Sequence, residues 1–179
     1  SGANFGLMEW GTRHNIRVKI SDTGAKLIYS SVDGVYASGG TDLNRALGIA
    51  RNYFTSNQVA NWNLTCSLNY LIVISDGYWS SHNSVISVAN QLRQAHNIKT
   101  FAVGFALGGA NSNYSTLATA GGTNKPLYAS NETELLQKLT DAIKQAISGR
   151  LTFTTPAVMS DVTKGNFVYQ STFEYARDM

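Results

Sequence analysis

Cysteine, proline and charged side chains are all scarce in this sequence. Its 179 residues include one cysteine and two prolines, and charged residues make up 14% of them, against about 25% in a typical soluble domain. A single cysteine excludes an internal disulfide and a thiolate zinc site, so Cys66 is either an inert buried thiol or the partner of a cysteine outside this chain. Ser, Thr, Asn and Gly supply the polarity instead, which favours an extracytoplasmic or cell-surface protein.

Long apolar runs, clustered positive charge and common catalytic motifs are also missing. No apolar stretch approaches the ~20 residues needed to cross a bilayer, so we expect no membrane span. The 14 basic and 11 acidic residues give a net charge of +3, and the basic ones are scattered, which argues against nucleic-acid binding. Without a G-x-G-x-x-G, P-loop or G-x-S-x-G motif, we expect no enzyme. A hydrolytic site built from Ser80, Ser81 and His82 beside Asp76 is the alternative.

The most informative stretch that is present is residues 69–79, NYLIVISDGYW. Its apolar, largely β-branched first part predicts a strand buried on both faces, as in a parallel sheet covered by helices. Asp76 then lies where this strand ends, at the sheet edge where open α/β sheets bind ligands. Tyr78 and Trp79 follow, either as a contact surface for a partner or as a cover over the core.

Strand and helix patterns alternate along the rest of the chain. The patterns predict an antiparallel hairpin of residues 4–10 and 16–20 and a short extended piece at residues 26–29. They predict further strands at residues 99–105 and 127–129. Helices are predicted at residues 43–54, 85–92, 114–119 and 135–147. Thr41 is placed to cap the first helix and Asn83 or Ser84 the second. This alternation predicts a doubly wound α/β fold, a mostly parallel sheet with helices on both faces. Gly149 marks the boundary between a domain of residues 1–149 and a β-rich extension of residues 150–179.

Two short segments are expected to meet at the carboxyl edge of this sheet. Gly39-Gly40-Thr41-Asp42 begins a helix, and Ser75-Asp76-Gly77 ends the buried strand. A threonine hydroxyl beside a carboxylate suits a hard divalent cation, which prefers oxygen ligands. The alternatives are that Thr41 only caps its helix and that Asp76-Gly77 is only a turn.

The GGT segment before an amphipathic helix, followed by an apolar strand ending in DG, resembles the von Willebrand factor A domain over residues 4–148. The resemblance implies a metal-ion-dependent adhesion site with Thr41 and Asp76 as ligands of Mg²⁺, Mn²⁺ or Ca²⁺. The ion would accept an acidic group of a protein or surface ligand. The family's D-x-S-x-S segment, which ends its first strand, is absent from this sequence. The domain is therefore expected to lack its first strand and helix, and the metal site to be half-built.

A narrower set of motifs resembles the PilY/PilC-type tip adhesins of type IV pili. It consists of Cys66-x-x-Asn69-Tyr70, Asp76-Gly77-Tyr78-Trp79 and the VYQSTF run at residues 168–173. This resemblance implies an extracellular pilus-tip module that is periplasmic in transit, with minor pilins and the rest of its own chain as partners. A structural or force-bearing module that needs no metal is the alternative.

Overall fold

A computed structural model describes residues 3–35, 39–56 and 68–148 of the chain. The strands are β1 (Phe5–Glu9), β2 (Asn15–Ser21), β3 (Asn69–Ser75), β4 (Ile98–Phe105) and β5 (Leu127–Ala129), and the helices are α1 (Gly24–Ser31), α2 (Leu43–Thr55), α3 (His82–His96), α4 (Ser112–Ala120) and α5 (Glu132–Ser148). A short 3₁₀ turn, Val32–Gly34, follows α1. Cys66 and the predicted extension of residues 150–179 lie outside the described residues.

The strands β3, β4 and β5 form a parallel sheet in that order. β3 and β4 are in register along their whole length, from Asn69 opposite Ile98 to Ser75 opposite Gly104. Parallel neighbours need a crossover connection, and α3 provides it between β3 and β4. The predicted α/β fold with a parallel sheet flanked by helices is confirmed.

The strands β1 and β2 form the predicted antiparallel hairpin, with Leu7 opposite Val18. An ion pair between Arg17 and Glu9, 2.7 Å long, joins the two strands on one face. In the described part of the chain, no ladder of hydrogen bonds connects this hairpin to the parallel sheet. A sheet that lacks its middle strand would be divided in this way.

The core lies between β3, β4 and the helices α2, α3 and α4. Its fully buried side chains come from every one of these helices, and include Leu43, Leu47, Val85, Leu92, Tyr114 and Leu117. Met8 and Trp10 of the hairpin region pack against the same core. One apolar core therefore holds the hairpin and the parallel sheet together, although the two share no strand pairing among the described residues.

Residues 26–29 were predicted to be extended, and this prediction is wrong, because they lie inside α1. A run of a few apolar residues does not distinguish a strand from a helix by its periodicity. Packing decides instead, since α1 lies on the hairpin and begins at the buried Gly24, where an added Cβ would collide with the Phe5 carbonyl group.

The predicted caps of two helices are also wrong. Asp42, not Thr41, caps α2, because its carboxylate accepts a 3.1 Å hydrogen bond from the Arg45 amide. α3 begins at His82, one residue before Asn83, and Ser81 precedes it in the left-handed conformation with no side-chain cap. Trp79, three residues before the first residue of α3, is buried and donates a hydrogen bond to that residue, His82.

Candidate functional site

Thr41 lies in the loop before α2, two residues before the first helical residue, Leu43. Because Asp42 caps the helix, the Thr41 hydroxyl is not used as a cap. The imidazole Nε2 of His14 lies 3.2 Å from the Asp42 carbonyl oxygen and ties the hairpin turn to this loop. His14 itself is half-buried.

Asp76 directly follows β3, and its side chain is exposed. The neighbouring Ser75 is buried, and its hydroxyl bridges the turn by accepting from the Gly77 amide at 3.3 Å and donating to the Gly77 carbonyl at 3.4 Å. The two residues that flank Asp76 are thus held to each other, which fixes the backbone from which its carboxylate projects.

Tyr114 of α4 secures the same turn from inside the core. Its hydroxyl, on a fully buried side chain, lies 2.7 Å from the Gly77 carbonyl oxygen and 3.1 Å from that of Ser75, and donates toward both. Burial raises the pKa of Tyr114; the hydrogen bond to Ser75 opposes this, and the negative charge of Asp76 adds to it. Tyr114 therefore remains a neutral donor at physiological pH and positions the Asp76 turn.

Trp79 and Tyr78 have opposite environments. Trp79 is 4% exposed; its ring packs edge-on against Tyr114 with the centroids 4.7 Å apart, and its indole N–H donates to Nδ1 of His82 at 3.3 Å. Tyr78 is 62% exposed. Of the two predicted contact residues, Trp79 thus covers the core, and the contact role stays a prediction for Tyr78.

Thr41 lies against the turn that contains Asp76. A Cβ added to Gly77 would be 3.3 Å from the Thr41 hydroxyl oxygen, closer than ordinary van der Waals contact. Glycine at this position therefore leaves room for the Thr41 side chain. The Thr41 hydroxyl therefore lies next to Gly77, the residue that follows Asp76, at the carboxyl end of β3.

The oxygens of the Thr41 hydroxyl and the Asp76 carboxylate are of the type that a hard divalent cation prefers, but they are too few to complete its coordination. Mg²⁺ takes six ligands and Ca²⁺ six to eight, whereas Thr41 and Asp76 supply two side chains. Within residues 3–35, 39–56 and 68–148, no group of three or more His, Cys, Asp and Glu is arranged to hold a metal ion. The described residues alone do not complete a metal site.

A cavity of about 480 Å³ opens beside Thr41. Residues of the hairpin turn, the loop and first turn of α2, and the segment after Asp76 line it: Gly11, Thr12, His14, Gly40, Thr41, Asp42, Arg45, Tyr78 and Ser80. Sequence reasoning missed the participation of His14 and Arg45. No local pattern signals it, because the segments meet only in the folded chain.

His82 makes its hydrogen bond with Trp79. Within the described residues, no hydrogen bond joins His82 to Ser80, Ser81 or Asp76, so the pairing of nucleophile and base that a hydrolytic site needs is not formed there. The prediction that the protein is not an enzyme stays a prediction.

The sequence profile of the von Willebrand factor type A domain family matches residues 1–142. Among solved structures, the SpRpn10 VWA domain is similar, with 13% identity and a TM-score of 0.58 over 78% of this chain and 71% of that one. An uncharacterized membrane spanning protein from Vibrio fischeri matches with 17% identity over 81% of this chain and 77% of that one, at a TM-score of 0.39. No curated protein matches. None of the described helices is both long enough and apolar enough to span a membrane.

Proposed function

Because the chain belongs to the von Willebrand factor type A domain family, we propose that it is a protein-binding module whose partner docks at the carboxyl end of β3 through a divalent cation. Domains of this family generally mediate protein interactions and often bind a divalent metal ion. The observation that supports this site most directly is the close approach of the Thr41 hydroxyl to Gly77, beside the exposed Asp76.

Thr41 and Asp76 would hold the ion, either directly or through water, and Mg²⁺, Mn²⁺ or Ca²⁺ suits their oxygens. A bound ion would supply a Lewis-acidic position that accepts a carboxylate oxygen of the partner. The chain's own contribution is orientation, because Tyr114 and Ser75 fix the backbone on both sides of Asp76. In the family the remaining ligands come from a D-x-S-x-S segment at the end of a strand, and among the described residues no strand pairs with both the hairpin and β3.

We further propose that the module belongs to a type IV pilus-tip protein. The support is confined to sequence, namely the Cys66-x-x-Asn69-Tyr70, Asp76-Gly77-Tyr78-Trp79 and VYQSTF segments. It implies minor pilins and the rest of its own chain as partners, and a cell-surface location reached through the periplasm. Recovery of the protein with sheared pili, and its absence from pili of a strain that lacks minor pilins, would support this assignment.

The metal site is tested by titrating Mn²⁺ into the full-length protein and its Asp76→Asn and Thr41→Val variants by calorimetry. We expect each variant to bind Mn²⁺ at least about tenfold more weakly, because each loses an oxygen ligand. Asp33→Asn is the matched control, since Asp33 is an exposed carboxylate in the 3₁₀ turn. Equal affinity of wild type and Asp76→Asn would contradict the metal site.

A metal-independent structural or force-bearing module is the second candidate. It is favoured by the hydrogen bonds of Tyr114 and Ser75, which hold the Asp76 turn without any ion. Under this alternative, partner binding persists in EDTA and in the Asp76→Asn variant. Neither function makes the protein an enzyme, and we propose that it has no catalytic activity.

A further inference from the structure

The cavity beside Thr41 has a lining that is almost wholly polar. None of its lining residues is aliphatic, and the hydroxyl-bearing Thr12, Thr41 and Ser80 are among them. Tyr78 is the one aromatic residue among the lining residues, so the cavity offers little apolar surface to a partner. The ligand that suits such a lining is a small polar or charged group.

The charged side chains of the lining bear on which polar ligand it can take. Arg45 and His14 line the cavity, against a single acid, Asp42. One oxygen of the Asp42 carboxylate accepts the Arg45 backbone amide as the cap of α2, and the carboxylate keeps its negative charge. The charged and ring-nitrogen groups of the lining are therefore one guanidinium, one carboxylate and the His14 imidazole.

Arg45 is set apart from the other arginines near the core. Arg17 pairs with Glu9, Arg51 donates to Gln91 and Arg93 donates to Asn90. The Arg45 guanidinium makes no hydrogen bond or ion pair with any residue that the structure describes. Its planar fork of donors matches the two oxygens of a carboxylate, and it faces a cavity large enough for a side chain.

We propose that this cavity binds a second carboxylate of the protein partner, at Arg45 and His14, so that the module recognises a pair of acidic side chains. This inference rests on the proposed function, in which the first carboxylate meets the cation at Thr41 and Asp76. The two subsites adjoin, because Thr41 lines the cavity and also lies against Gly77. The exposed Tyr78, two residues after Asp76, also lines the cavity.

Carboxylate binding in the cavity is tested without metal, so that a failure of this proposal can be distinguished from a failure of the proposed cation site. The probe is N-acetyl-glutamate amide, which carries one carboxylate, and its binding to the full-length protein in EDTA is followed by saturation-transfer difference NMR. We expect saturable binding that Arg45→Gln weakens at least about fivefold, because a charge-assisted hydrogen bond is lost.

Arg13→Gln is the matched control, because Arg13 is an exposed arginine between Thr12 and His14 that does not line the cavity. An equal loss in Arg13→Gln and Arg45→Gln would overturn the proposal in favour of diffuse charge attraction. Equal binding of the neutral N-acetyl-glutamine amide would also overturn it. Stronger binding of inorganic phosphate than of the carboxylate probe would assign the cavity to a different anion.

Recognition of two acidic side chains by the two subsites is then tested with Mg²⁺ present. The probes are acetylated peptides that carry one or two acidic residues. The two-acid peptide should bind wild type more tightly than the one-acid peptide, and Arg45→Gln should abolish that advantage. An advantage that survives in Arg45→Gln would overturn the second subsite. If the cation site is what fails, the advantage is absent in wild type while the metal-free binding of the glutamate probe at Arg45 remains.

Discussion

The neighbouring strands β3 and β4 have similar apolar sequences and different environments. β4 lies between β3 and β5, and all of it is buried except Lys99 and, in part, Phe105. β3 pairs with β4 alone among the described strands, and of its residues only Val73 and Ser75 are buried, while Ile74 is 39% exposed. An apolar run thus predicts a strand that is suited to burial, but a neighbour on each edge is needed to bury it.

The same contrast holds at the carboxyl ends of the two strands. β4 ends under Leu107 and Tyr128, whose side chains crowd Gly104. β3 ends at the exposed Asp76, and Gly77 there faces Thr41. The closed end serves the packing of the sheet, whereas the open end leaves a carboxylate accessible, which is why our proposal places binding at the end of β3 and not of β4.

Replacing one isoleucine in each strand should give the largest difference. Ile98 of β4 is 2% exposed, so Ile98→Ala should lower the free energy of unfolding by about 2–5 kcal/mol. Ile74→Ala in β3 should cost about 1 kcal/mol, because much of its side chain already meets water. Urea unfolding with unchanged m-values measures both. Equal losses would mean that β3 is covered in solution as completely as β4.

Adding a methyl group at each strand end should separate stability from binding. In Gly104→Ala the new Cβ would lie 2.5 Å from a Leu107 methyl group and 2.9 Å from the Tyr128 ring, which should cost about 1–3 kcal/mol. In Gly77→Ala the new Cβ would lie 3.3 Å from the Thr41 hydroxyl. Compared with Gly104→Ala, this variant should lose less stability and more of its affinity for Mn²⁺. Thermal unfolding and calorimetric titration of both variants check this, and the reverse pattern would contradict the assignment of the two ends.

Removing the Tyr114 hydroxyl should loosen the open end of β3. Tyr114→Phe leaves the Ser75 and Gly77 carbonyls without this donor and should cost roughly 1–2 kcal/mol. The pKa of Tyr114 is raised in the folded protein, so its contribution is complete below about pH 10, the pKa of an unfolded tyrosine, and falls as the pH rises through the folded-state pKa.

Urea midpoints measured from pH 8 upward test this dependence. Wild type should lose stability above about pH 10 more steeply than Tyr114→Phe. Tyr29→Phe is the control, because Tyr29 is 84% exposed and its removal should leave the alkaline decline unchanged. Parallel declines in wild type and Tyr114→Phe would show that the hydroxyl is not the group responsible.

Long periodic segments of the sequence were predicted well and short ones were not. The apolar spacing of α2 and α3 extends over several turns, and the strands β3 and β4 are long enough for their runs to be unambiguous. Residues 26–29 are too few to define a period, so packing on the hairpin decided that they are helical. Thr41 and Asp42 are both competent caps, and the loop geometry, tied by His14, selected Asp42.

The sequence by itself determined the α/β alternation, the family resemblance and the position of Asp76 at the end of a strand, because hydrophobic periodicity and turn residues act locally. Only the tertiary structure decided that Trp79 enters the core while Tyr78 stays outside, that Tyr114 holds the Asp76 turn, and that Arg45 and His14 share a cavity. These outcomes depend on contacts between segments far apart in the chain, and no local pattern contains them.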